Sequence, residues 1–99
     1  MSLVTVEPEL LTAAAVGLET IGTELHTVNA GIAAPTTGVI PAAADDVSAL
    51  AAARFAAHGE QYQAVAAQAA AIHEQFVAML QASAGSYALA EATNQALAA

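Results

Sequence analysis

Ninety-nine residues suffice for one domain, and 58% of them are apolar, yet alanine fills about three positions in ten, aromatics make up 4% and tryptophan is absent. Nine acids against the single Arg54 give a formal net charge of −8, which excludes nucleic acid, whose phosphates must be neutralised by Lys and Arg, and disfavours an anionic membrane surface. The absence of cysteine removes disulfide and thiol chemistry.

Alanine favours helix strongly but brings little area to bury. Each buried CH₂ contributes about 0.8 kcal/mol, whereas ordering one residue costs about 1.5 kcal/mol. The composition therefore predicts an all-α chain that leans on a partner for stability. The opening "MSLVTVEPE" has no basic segment followed by an apolar run, so no cleaved signal peptide is expected. No uninterrupted stretch of 18 apolar residues predicts a membrane span.

The first helix is predicted over about residues 8–34. Pro8 suits the first turn, where a missing N–H costs nothing, and Glu7 and Glu9 suit the positive end of the helix dipole. Leu11, Ala14, Leu18, Ile21, Leu25, Val28 and Ile32 follow in steps of three and four, the spacing of a coiled-coil seam. Gly17, Gly22 and Gly31 weaken the helix and allow close approach of a neighbour. "APTTGVIPAAADD" then predicts a loop over about 35–45, with two prolines and a glycine close together.

The second helix opens at Asp45 or Asp46, with Ser48 as capping partner, and is predicted over about 46–84. Its seam reads Phe55, His58, Tyr62, Val65, Ala69, Ile72, Phe76, Met79 and Ser83. Gly85 is a natural stop and leaves a C-terminal tail, 85–99. The whole is one domain: an antiparallel two-helix hairpin that completes a four-helix bundle with a partner chain.

Equating the loop-side ends sets residue 54 opposite about residue 26. Phe76, Val77, Met79 and Leu80 then overhang the first helix, with Leu3, Val4 and Val6 folded over part of that surface. Leu10, Val16, Val47, Leu50, Val77 and Leu80 lie off the two seams, and apolar area left uncovered marks an interface. The partner-binding residues expected are Leu10, Leu50, Phe76, Val77, Met79 and Leu80. Arg54 either reaches solvent or pairs with Glu24 across the hairpin.

No pattern for chemistry emerges. His26, His58 and His73 lack the HExxH or Glu-x-x-His spacing of a metal site, and a structural role is expected for all three, with His58 the one partly buried on the seam. Ser83 and Ser86 have no base nearby, and "GLETIG" has no lysine to meet a phosphate. No catalytic residue, metal ligand or cofactor is expected, and the chain is not read as an enzyme.

Pro8-Glu9 near the start, an Ala-rich helical hairpin without cysteine or lysine, "PAAADDVSALAAARF" after the turn and Tyr87-x-x-x-Glu91 past the second helix together resemble the PE family of mycobacteria. The resemblance spans about residues 3–91. It implies a heterodimer with a PPE protein in a mixed four-helix bundle, and export of the pair, after a cytosolic stage, through a type VII secretion system to the cell surface or medium. The general signal of that route is YxxxD/E, which falls here on Tyr87 and Glu91. The family's cytosolic chaperone grips the PPE partner, so it touches this chain only indirectly. Two other readings stand beside this one: a self-associating bundle, and a membrane- or surface-active effector without a PPE partner. Likewise Tyr87 is either part of an export signal or the last seam residue, packed on Met79 or Ser83.

Overall fold

The computed structural model of the chain describes residues 5–98. It is all-helical among these residues: α1 (Pro8–Thr37) and α2 (Asp46–Ala98) pack as a hairpin. Leu3 and Val4 lie outside the described residues; Val6 is half-buried. Both ends match their local chemistry. Pro8 occupies the first helical position, and the Glu7 carbonyl accepts a bond from the Leu10 N–H at 3.0 Å. Asp45 caps α2: its carboxylate accepts the Ser48 N–H at 2.7 Å and the Ser48 hydroxyl at 3.0 Å, while its carbonyl accepts the Ala49 N–H at 3.0 Å. The Ser48 backbone bond, then the Ser48 hydroxyl, hold the Asp45 carboxyl below its ordinary pKa.

Both helices outrun their expected ends. α1 passes through Pro35 to Thr37 instead of stopping at about 34. A proline so close to the terminus removes only one ladder bond. Two hydroxyls bond back in the same turn, Thr36 to the Ile32 carbonyl at 2.6 Å and Thr37 to the Ala33 carbonyl at 2.7 Å. α2 runs 53 residues straight through Gly85, which has no positive φ and therefore does not act as a stop. One mid-helix glycine costs about 1 kcal/mol against alanine, and the Ala, Leu and Glu residues that follow are strong helix formers.

The hairpin consists of two compact units. In the unit formed by residues 23–72, the Tyr62 hydroxyl donates to Asn29 Oδ1 at 2.7 Å and Gln63 Nε2 donates to the Asn29 carbonyl at 3.0 Å. A Cβ on Gly59 would sit 2.8 Å from the Thr36 carbonyl carbon, so the two backbones touch there. This register differs from the expected one. Gly59, not a residue near the start of α2, meets the end of α1. The residues from Asp46 up to Gly59, about 20 Å of helix, run beyond α1. The connecting residues 38–45 return along them, well within the reach of an extended chain. Arg54 consequently stands level with that connection, and about 20 Å of helix separates it from the level of Glu24. The pair considered from the sequence is not formed.

In the unit formed by residues 5–22 and 73–98, His73 Nε2 lies 2.6 Å from the Leu18 carbonyl and donates to it. Gly22 makes room for the ring, since a Cβ there would be 2.8 Å from His73 Cδ2. Counting outward from Leu18 and His73 brings Pro8 level with about residue 83. Phe76, Val77, Met79 and Leu80 thus lie level with α1 and do not overhang, although Phe76 and Met79 face away from it. The overhang begins at about residue 84.

Candidate partner-binding face

The hairpin seam is built largely from small residues, with a few larger side chains among them. Between their end turns, the less exposed positions on α1 are Leu11, Ala15, Leu18, Gly22, Asn29, Ala33 and Thr36; those on α2 from Ala52 to Ala84 are Ala52, Ala56, Gly59, Gln63, Ala66, Ala70, His73, Val77, Leu80 and Ala84. The α2 series keeps the three-and-four step throughout, and the α1 series keeps it except for one seven-residue step from Gly22 to Asn29, across the exposed His26. They sit one residue away from most of the expected seam, which corrects the sequence reading. Gly59 and Gly22 explain the choice: two helices can approach to backbone contact only where side chains are absent or short. The bulky series is left outside.

Within each unit that outer series forms a stripe on each helix, one position before the inner seam. A step back along the chain turns the two antiparallel helices in opposite senses, so both stripes emerge on the same side of the hairpin. In the 23–72 unit the stripe carries Leu25, Val28, Ile32, Phe55, Tyr62, Val65 and Ile72, all exposed, with Phe55 at 67%. A cleft of about 370 Å³ opens at its loop end, lined by Ile32, Pro35, Thr36, Val39, Phe55, His58, Gly59 and Tyr62. His58 is exposed in this wall; the half-buried histidine is His73. In the other unit the stripe carries Leu10, Ile21, Phe76 and Met79, the last two 55% and 69% exposed.

Of the residues expected to meet a partner, Leu10, Leu50, Phe76 and Met79 are exposed. Val77 is not: at 7% exposure it belongs to the inner seam, with Leu80 half-buried beside it. Sequence reasoning placed Ile21, Leu25, Val28, Ile32, Phe55, Tyr62, Val65 and Ile72 inside. Their signal was present, since a helix facing both a hairpin mate and a second partner carries two adjacent apolar series.

Tyr87 and Glu91 are one turn apart on α2, past the end of α1, Tyr87 46% exposed and Glu91 half-buried. They continue the inner series, seven residues after Leu80 and Ala84 respectively, and Tyr87 also stands one turn after Ser83. Pro8 and Glu9 form the first turn of α1 at the same end. No cluster of three metal-binding side chains occurs among the described residues, and no helix there is long and apolar enough to cross a membrane.

The family model of the PE family matches residues 4–94. The chain belongs to the PE family. PE family protein PE13 of Mycobacterium tuberculosis is 59% identical over 98 residues, spanning 99% of each chain. PE cleavage protein A of the same organism is 55% identical over 93 residues, covering 94% of this chain but 17% of that protein. PE-PGRS family protein PE_PGRS33 is 55% identical over 96 residues, 97% of this chain and 19% of the relative. The PE hairpin thus occurs both at this length and as a small part of much longer proteins.

Proposed function

We propose that the chain is a non-enzymatic partner subunit that pairs with a PPE protein and is exported with it through a type VII secretion system, with Tyr87 and Glu91 as the export signal. The observation that carries this reading is the inversion of the hairpin: its seam is mostly Ala, Gly and a few polar groups, with only Leu11, Leu18, Val77 and Leu80 as larger apolar residues, while Phe55, Val65, Ile72, Phe76 and Met79 face outward. Burying one such side chain contributes about 1.5–3 kcal/mol, so a second pair of helices laid on this side supplies the core that the chain lacks. A chain with one Arg and no Lys has little means of holding an anionic lipid surface instead. The cytosolic chaperone of the route reaches the chain only through the PPE subunit.

Co-expression with PPE proteins tests the pairing: a soluble one-to-one complex is expected, against aggregation or low helicity of the chain alone. A stable, cooperatively melting monomer refutes the need for a partner. For the signal, Tyr87→Ala or Glu91→Ala is expected to leave the cytosolic complex intact while stopping its secretion. Normal secretion of Glu91→Ala shows that the carboxylate is no part of the address.

A further inference from the structure

We propose that the cleft at the loop end takes one bulky apolar side chain from the partner's helix, with a carboxylate one turn away from it, and thereby selects among partners. This rests on the pairing reading above. The cleft, about 370 Å³, has Phe55 and Ile32 as apolar walls and the Gly59–Thr36 backbone contact as its floor. Its hydroxyls are already committed: Tyr62 donates to Asn29 and Thr36 to the Ile32 carbonyl. A small molecule would find few polar groups to fix its orientation. A side chain projecting from a helix needs none, because the rest of its helix lies along the apolar stripe that the cleft interrupts.

Charge supplies the second half of the argument. The chain carries −8 and a single Arg or Lys. That residue, Arg54, is exposed, adjacent to Phe55 and one turn before His58. An acidic partner is repelled by the chain at large and is welcome at this one place, so a carboxylate on the incoming helix is accepted only in the register that sets it beside Arg54. Like-charge repulsion elsewhere and attraction here together make a filter rather than mere adhesion.

The probes are PPE proteins co-expressed one at a time with the chain, followed by titration of the pair that forms. Val39→Trp, in the connecting segment outside both helices, fills the cleft and is expected to weaken that pair at least about tenfold, as loss of a buried anchor does. Phe55→Ala, which removes a wall, weakens it similarly. Arg54→Glu weakens it by about fivefold, the scale of an exposed charge pair, and Arg in place of the facing carboxylate on the partner restores binding. If no PPE protein pairs with the unaltered chain, the pairing reading falls and this proposal with it. If pairing occurs but all three variants bind as the unaltered chain does, this proposal alone is overturned. A fluorescent apolar dye that stays bound in the cleft after saturation with the partner assigns the site to a small molecule and overturns it too.

Discussion

Gly59 is the point where the hairpin is least able to accept a methyl group. Its Cβ would stand 2.8 Å from the Thr36 carbonyl carbon, against the 3.4 Å at which ordinary contact begins. The obstructing atoms are backbone, so no rotamer change relieves them and α1 must move as a unit. Overpacking of this kind costs about 1–3 kcal/mol, and the higher helix propensity of alanine returns about 1 kcal/mol. Gly59→Ala is therefore expected to destabilise by up to about 2 kcal/mol. Gly31→Ala is the control: nothing lies within 4 Å of its Cβ, so it gains the propensity alone and stabilises by about 1 kcal/mol. For a chain of this size 1 kcal/mol corresponds to about 4–8 °C in Tm. Thermal unfolding followed by far-ultraviolet circular dichroism, on the chain where it melts cooperatively or on its partner complex, should separate the two variants by about 4–24 °C, Gly31→Ala melting higher. Equal gains in Tm from both substitutions would show that the helices do not touch at Gly59.

Two further outcomes are expected. Phe76→Ala should leave the isolated hairpin unchanged within about 0.5 kcal/mol, as at an exposed site, while weakening the partner complex by a few kcal/mol if the ring is buried there; calorimetry of binding beside thermal melts of the free chain distinguishes these. The capping carboxyl of Asp45 is held below its ordinary pKa by Ser48, so its contribution is present above the unfolded value of about 3.9 and fades as pH falls through the folded value below it. An acid titration of helicity should show this loss in the native chain and lack it in Asp45→Ala.

The fold class was legible because alanine content, Pro8 and the Asp45-to-Ser48 cap are local signals. The register was not. It depends on how far α2 overshoots the connection, and the overshoot is set by the Gly59–Thr36 and Tyr62–Asn29 contacts, which join residues far apart in sequence. The inner seam was misplaced because both series along each helix share one period. Periodicity reports that a face is buried, and it does not report against what. Large side chains suggested a core, yet the short ones formed it. The end of α2 was missed because Gly85, a strong stop in isolation, is outweighed by the helix formers around it. Tyr87 and Glu91 stood out only by resemblance, since an isolated Tyr and Glu four apart carry no special chemistry.

The absence of any break at Gly85 makes the C-terminal part of α2 one uninterrupted helix, and a helix ties length to rotation. Each residue inserted between Ala84 and Tyr87 would turn everything beyond it by about 100° and advance it by about 1.5 Å. A single insertion would swing the ring and the carboxylate away from the line of Val77 and Leu80, whereas seven would return them to it two turns further out. The position of Tyr87 and Glu91 is thus an angle as much as a distance: a change of length in this stretch alters their phase about the helix as well as how far they stand from Leu80.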